Sequence, residues 1–221
     1  MKCGLCLQEA PFFQEVSDKS YFECACCGLV FLDPSRRLAS GDELAQYTLH
    51  QNSPEDKNYR KFLMPALEAV QKNLPRGGRG LDFGCGPGPT LSVMLEEVGY
   101  KMKNFDKYFY PEREVLTEQY DFITCTEVIE HIADLKSFLE ELLALLRPQG
   151  LLVVMTKILQ VDTDFKSWHY RIDPTHISFL RPQTVKLLGE RFNLTLLDLT
   201  GQLIVLQKSE KAGQDNDEST S

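Results

Sequence analysis

The sequence predicts an α/β fold: a doubly wound, mostly parallel sheet with an antiparallel last strand, preceded by a small cysteine-rich module. From Gly80 onward, short apolar runs alternate with helix-like stretches, which is typical of parallel strands joined by crossover helices. The last two apolar runs are joined by a short turn at Thr200 and Gly201, so they must pair antiparallel. Five of the seven cysteines crowd the first 30 residues.

The chain divides into four predicted regions. These are a cysteine-rich module (1–33), a helical linker or lid (34–78), the main α/β domain (79–208) and a tail (209–221). The tail reads "SEKAGQDNDESTS" and has nothing apolar to bury, so we expect it to be disordered.

The main domain is predicted element by element from its apolar periodicity. In chain order the strands are "GLDFG", "YKMKNFD", "YDFITCTEV", "GLLVVMT", "LTLLDLT" and "QLIVLQK", and the helices are "TLSVMLEEVG", "DLKSFLEELLALLRPQG" and "RPQTVKLLGERF". Gly99 ends the first helix, and Asp134 is the expected N-cap of the second. Pro148 and Gly150 end that second helix and place the next strand at Gly150.

Composition and charge exclude several classes of protein. The 221 residues carry a net charge of −8, which argues against a broad basic surface for nucleic acid, although a local basic patch stays open. No apolar run approaches the roughly 20 residues that span a bilayer, and the N-terminal stretch lacks the apolar segment of a signal peptide. We therefore expect a cytoplasmic protein without membrane contact.

The N-terminal cysteines have the spacing of a zinc site. Cys3, Cys6, Cys24 and Cys27 form two C-x2-C pairs, and two such turns can bring four thiolates to a tetrahedral ion. The stretch "YFECACCGLVFLDP" resembles the second half of a zinc ribbon. We predict a structural zinc ion, because so small a module can hardly fold without metal. Cys26 is a surplus thiol that can replace Cys27, which leaves the fourth ligand open.

The glycine-rich stretch "LDFGCGPGPT" joins the first predicted strand to the first helix, which is the topology of a nucleotide site. Gly84 and Gly86 fit a dinucleotide fingerprint, but Pro89 occupies its third glycine position. The Gly-Lys-Ser/Thr ending of a phosphate loop is also missing. Pro87 and Pro89 lack the N–H groups that a pyrophosphate would use. The loop therefore points to a different ligand.

The loop resembles motif I of the class I S-adenosylmethionine (SAM) methyltransferases, which have a Rossmann-like fold. The matched residues are Asp82, Gly84, Gly86 and Gly88. The resemblance extends over about residues 55–207 and includes "DFITCTEVIEHI" and "LLRPQGLLVVMT", where Gln149 departs from the family's usual glycine. Asp106 follows the loop at the distance expected of an acidic residue that binds the ribose hydroxyls, about 20 residues. The resemblance implies that SAM is bound by Asp82, Gly84, Cys85, Gly86, Gly88, Asp106, Lys107, Thr126 and Glu127.

One departure from the family concerns the segment after Asp106. The family usually has a third strand with its helix there, whereas here only "KYFYPEREVLTEQY" leads to Asp121. That length allows one short helix, so the usual adenine contacts are in doubt. Tyr108 and Phe109 can stack on adenine instead, or simply pack.

Glu127, Glu130 and His131 follow the strand that contains Cys125. The stretch resembles that of small-RNA 2′-O-methyltransferases and ubiquinone-pathway O-methyltransferases, which bind a divalent metal with a Glu-x-x-Glu-His cluster and one further histidine. The resemblance implies a metal site at Glu127, Glu130, His131 and His176. Many relatives carry the same pattern without metal, and His131 or His176 can then act as a general base. We expect Glu130, His131 and His176 to be the catalytic residues, and the loop "DFKSWHYRIDPTHISF" to face the substrate.

The sequence therefore predicts a SAM-dependent methyltransferase with an N-terminal zinc ribbon. It would transfer a methyl group to oxygen, nitrogen or carbon of an unidentified acceptor, which we expect to be a small molecule. Two alternatives stay open. One is an RNA or protein methyltransferase that recruits its substrate through the ribbon. The other is a non-catalytic module that keeps the fold only for binding, against which the intact Asp82, glycines and Asp106 count.

Overall fold

A computed structural model describes residues 1–49 and 52–210. Most of the predicted tail, residues 211–221, lies outside the described residues. The elements in chain order are β1 (Phe12–Val16), β2 (Lys19–Glu23), β3 (Val30–Leu32), α1 (Ser40–Tyr47), α2 (Lys57–Asn73), β4 (Arg79–Phe83), α3 (Thr90–Glu97), β5 (Lys101–Phe105), β6 (Tyr120–Thr126), α4 (Leu135–Leu145), β7 (Leu146–Met155), β8 (Ser178–Phe179), α5 (Pro182–Phe192), β9 (Leu194–Leu199) and β10 (Leu203–Lys208).

The main sheet has six strands in the order β5-β4-β6-β7-β10-β9. Strands β5, β4, β6 and β7 run parallel, and β10 pairs antiparallel with both β7 and β9. Apolar side chains of α2 and α3 pack on one face of the sheet, and those of α4 and α5 pack on the other. The predicted α/β fold, with its mostly parallel sheet and antiparallel last strand, is confirmed.

The helix boundaries follow from local capping. Asp56 caps α2 by accepting hydrogen bonds from the backbone N–H groups of Asn58 and Tyr59, at 2.8 and 3.3 Å. Asp134 caps α4 in the predicted way, accepting from the N–H of Ser137 at 3.1 Å. Helix α2 buries five apolar residues against the sheet, so the second half of the predicted linker is a core helix.

Two details differ from or refine the predicted elements. Strand β7 begins at Leu146 instead of Gly150, because Leu146 already pairs with Tyr120 before an irregularity in the register. Between β5 and β6 the described chain contains one short 3-10 turn, Arg113–Thr117, and no strand. The expected third strand of the family is thus absent from this part of the chain, and β5 forms the edge of the sheet.

The cysteine-rich module contributes β1, β2 and β3 to a second, four-stranded sheet. Its fourth strand, β8, comes from the main α/β region and pairs antiparallel with β3. The four cysteines of the C-x2-C pairs are buried in the same apolar core as α4 and α5. The module and the main domain therefore share both a sheet and a core.

In the described part of the chain, no helix combines the length and apolar character needed to cross a membrane.

Candidate functional site

A cavity of about 770 Å³ opens at the carboxyl ends of β4, β5, β6 and β7. This is the edge where ligands bind in open α/β sheets, because the loops after parallel strands meet there. The glycine loop and Asp106 line one end of the cavity. His131 and His176 line the other, Glu127 also lines the cavity, and Glu43 and Tyr47 of α1 border it.

The glycine loop is held tightly on both sides. Gly84 and Gly86 have φ angles of +76° and +66°, a region that favours glycine. A Cβ atom on Gly84 would lie 2.3 Å from Cγ2 of Val128, and one on Gly88 would lie 2.0 Å from the backbone oxygen of Asn52. The three glycines therefore leave room for backbone and for a ligand where side chains would not fit.

Asp82 lies beneath this loop at the end of β4. Its side chain is buried, and its Oδ1 accepts a hydrogen bond from the Thr124 hydroxyl at 2.7 Å. Burial raises the pKa of Asp82 to about 6, and hydrogen bonds from Thr124 and Ser92 oppose that rise. A carboxylate held in this way is a partner for a cationic group of a ligand in the cavity.

We expect the raised pKa of Asp82 to make stability depend on pH. The folded-state pKa lies above the unfolded value of 3.8, so the folded state binds the proton more tightly. The resulting stability is fully present below about pH 4 and is lost as pH rises through about 6. Relative to Asp82→Asn, the unliganded wild type should lose about 2 kcal/mol of unfolding free energy between pH 4 and pH 8. Urea denaturation of both proteins across this range measures the difference, and parallel curves would contradict it.

Asp106 follows β5, and its carboxylate accepts hydrogen bonds from three backbone N–H groups. Its Oδ2 accepts from Gly86 at 3.1 Å, and its Oδ1 accepts from Tyr108 at 2.9 Å and from Phe109 at 3.1 Å. The carboxylate thus joins the glycine loop to the turn that carries these two aromatic residues, both of which line the cavity. Lys107 also lines the cavity, but its Nζ is bound to Glu43 of α1 at 3.0 Å.

The remaining predicted cofactor residues also border the cavity. Cys85 is buried, and its burial together with the nearby Asp82 raises the pKa of its thiol, which is therefore unreactive. Thr126 ends β6, and Glu127 follows it with a φ of +54°, an uncommon angle for a side chain of this kind. The backbone N–H of Glu127 donates to Met155 at 2.8 Å, which holds this strained residue at the edge of the sheet.

At the other end of the cavity, Glu130, His131 and His176 come together. One potential ligand atom from each lies within 4.8 Å of the others, although His176 is distant in the sequence. The predicted set of four is thus reduced to three in the structure, because Glu127 is not part of this cluster. Glu127 and Glu130 are linked instead by the Tyr170 hydroxyl, which is hydrogen-bonded to both carboxylates.

Hydrogen bonds to backbone carbonyls fix the tautomers of both histidines. The Nδ1 of His131 lies 3.0 Å from the carbonyl oxygen of Thr175, and the Nδ1 of His176 lies 2.7 Å from that of Tyr170. Because a carbonyl oxygen can only accept, each Nδ1 carries a proton, so Nε2 is the nitrogen of each ring that can bind a metal ion when the ring is neutral. Such backbone support of the second ring nitrogen is typical of histidines that bind metal.

Glu130 completes this triad with a buried carboxylate. Its side chain is fully buried, and its Oε2 makes no hydrogen bond within the described residues. Burial raises the pKa of Glu130, and burial next to Glu130 raises that of Glu127. A buried oxygen without a partner is costly unless a ligand satisfies it, so the donor set of one carboxylate and two imidazoles fits a divalent cation.

The second cluster is formed by Cys3, Cys6, Cys24 and Cys27, whose sulfurs all lie within 4.8 Å of one another. Closest are the pairs Cys3–Cys27 at 3.5 Å and Cys6–Cys24 at 3.3 Å. Those spacings are near the edge of a tetrahedron with Zn–S bonds of ~2.3 Å, so the four residues fit a zinc ion. Cys26 is exposed and outside the cluster.

Sequence reasoning missed three residues at the site. Tyr170 bridges the two glutamates, and the Tyr47 ring packs edge-on against His131 with a centroid distance of 5.3 Å. Glu43, one helical turn before Tyr47, accepts hydrogen bonds from Lys107 and from the Tyr108 hydroxyl. Two features of the sequence correspond to these residues: the aromatic loop that contains Tyr170, and the i, i+4 pair of Glu43 and Tyr47 on a helix. Neither feature shows which residues these side chains contact.

Comparisons with known proteins agree with this geometry. A family model described as "Methyltransferase domain" matches residues 29–199. A ubiquinone biosynthesis O-methyltransferase of Coxiella burnetii (strain CbuK_Q154) is 28% identical over 212 residues, which cover 77% of this chain and 88% of that protein.

Two solved structures share the fold. A 1,6-didemethyltoxoflavin-N1-methyltransferase of Burkholderia thailandensis, solved with 1,6-didemethyltoxoflavin and S-adenosylhomocysteine, has a TM-score of 0.53 at 17% identity and covers 92% of this chain and all of its own. A magnesium protoporphyrin IX methyltransferase of Synechocystis PCC 6803, solved with bound SAH, has a TM-score of 0.52 at 15% identity over 77% of this chain and 95% of its own. At such identities the likeness concerns the fold.

Proposed function

The chain belongs to the methyltransferase-domain family and is by class a SAM-dependent methyltransferase, and from this premise we propose that it methylates a hydroxyl oxygen of a small molecule. The observation that carries the proposal is the shared cavity. It joins the glycine loop, Asp82 and Asp106 at one end to His131 and His176 at the other. A cofactor at the first end and an acceptor at the second would then face each other within one cavity.

The cofactor end suits the charges of SAM. In this proposal Asp106 accepts hydrogen bonds from the ribose hydroxyls, and Gly84, Gly86 and Gly88 allow the backbone to lie against the ligand. Asp82 offers negative charge to the amino group. Tyr108 and Phe109 replace the adenine contacts that the shortened region after β5 does not supply. Cys85, Lys107, Thr126 and Glu127 complete the proposed cofactor site.

The reaction is an in-line displacement. The acceptor oxygen attacks the methyl carbon, the carbon–sulfur bond breaks, and its electron pair stays on sulfur, giving neutral S-adenosylhomocysteine. The chain contributes mainly by holding the oxygen and the methyl group at near-attack distance. The acceptor hydroxyl must also lose its proton, which leaves with bulk base or through the nearby imidazoles.

Glu130, His131 and His176 would hold a divalent cation at the acceptor end. One carboxylate and two imidazoles suit Mn, Fe or Zn, and Mg with additional water ligands. Such a cation, when bound, lowers the pKa of a coordinated hydroxyl and orients it toward the methyl group. Tyr170 keeps Glu130 in place, and the carbonyls of Thr175 and Tyr170 keep both Nε2 atoms turned to the ligand position. The cysteine cluster would hold a separate, structural zinc ion.

The small-molecule acceptor is supported by the size of the cavity and by the net charge of −8. The ubiquinone biosynthesis O-methyltransferase relatives carry a small-molecule pathway in their names, which favours the same substrate class. A nucleic acid or protein acceptor would need an extended docking surface in addition to this cavity.

Calorimetry with SAM and S-adenosylhomocysteine tests the cofactor site. The wild type should bind both, and Asp106→Ala should weaken binding by at least about tenfold, because the ribose would lose two charge-assisted hydrogen bonds. Asp162→Ala is the matched control, since Asp162 is exposed and does not border the cavity. Thermal unfolding of each variant separates local loss of affinity from loss of fold. Failure of the wild type to bind either compound would overturn the proposed function.

A further inference from the structure

The cysteine module lies directly behind the triad of Glu130, His131 and His176. Gly4, between Cys3 and Cys6, accepts a backbone hydrogen bond from Lys136 at 3.0 Å. A Cβ atom on Gly4 would lie 2.1 Å from the backbone oxygen of Ala133, two residues after His131. The first cysteine turn is therefore in backbone contact with the segment that carries two of the three triad residues.

A second connection runs through β8, which begins two residues after His176. Val30 and Phe31 of the module pair with Phe179 and Ser178, and the Leu32 N–H donates to the Ile177 carbonyl at 2.9 Å. The residue next to His176 is thus fixed by the sheet of the cysteine module.

Ile177 and Ser178, at the start of β8, are also hydrogen-bonded to the segment that contains Glu130. The Ile177 N–H donates to the backbone carbonyl of Glu130 at 2.8 Å, and the Ser178 hydroxyl donates to that of Ile132 at 2.7 Å. Ser178 and Glu130 are both buried. Strand β8 therefore sets the distance between Glu130 and His176, and β3 of the module sets the position of β8.

The cofactor end has different supports. Asp82 is held by Thr124 of β6, and Asp106 is held by the glycine loop and the turn after β5. These contacts involve β6 and the loops after β4 and β5, and none of them involves the cysteine module.

We propose that the cysteine module is a positioning element of the acceptor site, acting through Gly4 of the module and Ser178 of β8 as positioning residues. Its task is to hold Glu130, His131 and His176 at ligand distance, and not to recruit a macromolecular substrate. The inference rests on the proposed function for the identity of the triad's ligand. It implies a separation of effects: disturbing the contact between the module and the triad weakens cation binding and leaves cofactor binding intact.

Gly4→Ala tests the contact, and Gly201→Ala is its matched control because an added Cβ there meets no atom within 4 Å. Zinc content by elemental analysis shows whether the module stays loaded. Mn²⁺ affinity, followed through the electron paramagnetic resonance signal of free Mn²⁺, should fall by about tenfold or more in Gly4→Ala, as for other groups that orient metal ligands. The affinity for S-adenosylhomocysteine should equal that of the wild type.

Ser178→Ala is a second variant in case Gly4→Ala releases its zinc. It removes one hydrogen bond from β8 to Ile132 and leaves the cysteines and Gly4 untouched. Amide exchange of Ile177 should accelerate in both variants, since its N–H bonds to the triad segment. Unchanged Mn²⁺ affinity and unchanged Ile177 exchange in Ser178→Ala would overturn the proposal.

The proposed function can fail separately. If the wild type binds no Mn²⁺, the proposed divalent cation at the triad is wrong. Faster Ile177 exchange in Ser178→Ala, with unaltered cofactor affinity, would still support the proposal that the module positions the triad segment. If the wild type binds no S-adenosylhomocysteine, the methyltransferase proposal fails, while Mn²⁺ affinity and exchange still report on the module.

Discussion

Replacing Cys24 by serine is expected to release zinc from the cysteine module and to lower the unfolding temperature of the whole chain. A structural zinc ion contributes about 10–16 kcal/mol to the folding of comparable small modules. Cys24 is fully buried within the core that α4 and α5 share, so a loose module also exposes apolar surface of the main domain. Elemental analysis and calorimetric melting measure the two effects, and we expect Cys24→Ser to behave like wild type stripped of zinc by chelation.

Cys26→Ser is the matched control, because Cys26 is exposed and its neighbour Cys27 occupies the cluster. This variant should keep one zinc ion per chain and melt like the wild type. Loss of zinc from Cys26→Ser, or full zinc content in Cys24→Ser, would show that the ligand set is different. The pair of variants also decides between Cys26 and Cys27, which the sequence leaves open.

The second large effect is expected from Glu130→Gln. The amide keeps the size of the carboxylate and can still accept the hydrogen bond from Tyr170, but it removes the anionic ligand of the triad. We expect Mn²⁺ binding to fall below detection. Methyl transfer should decrease by about two orders of magnitude or more, because no cation would orient the acceptor oxygen toward the methyl group. Transfer is measured with a tritiated methyl donor on an acceptor found by screening, with and without EDTA.

Glu190→Gln is the surface control, since Glu190 is exposed on α5 and far from the cavity lining. It should match the wild type in every readout, and Glu130→Gln should retain its affinity for S-adenosylhomocysteine. Wild-type turnover that is indifferent to EDTA would rule out the cation. In that case His131 or His176 as general base would be the better interpretation of the triad.

Much of the fold was predictable because its signals are local. Alternation of apolar runs and helices gave the parallel sheet, and the short turn at Thr200 and Gly201 gave the antiparallel last pair. The glycine loop and Asp106 were recognisable because motif and spacing lie within one βαβ unit. Zinc-type spacing identified the four cysteines that the fold brings together.

Other features depend on long-range packing that no local pattern reveals. Strand β8 has only two residues, too short for a periodic signal, yet it joins the two sheets. Glu127 shares the Glu-x-x-Glu-His pattern, but it has a positive φ, is bound to Tyr170 and lies outside the triad. The start of β7 at Leu146 follows from its pairing with Tyr120, which overrides the turn signal of Pro148 and Gly150.

The pairing of β3 with β8 also has a consequence for the order in which the chain folds. Most of the chain lies between these two strands, so closing them together costs loop entropy that local contacts do not repay. During synthesis the cysteine module leaves the ribosome before β8 and can bind metal early, but its edge at β3 stays open until β8 has been made. Docking of the module is therefore expected to be a late event in folding. Until it docks, the exposed edge at β3 is the part of the chain that a chaperone would have to protect.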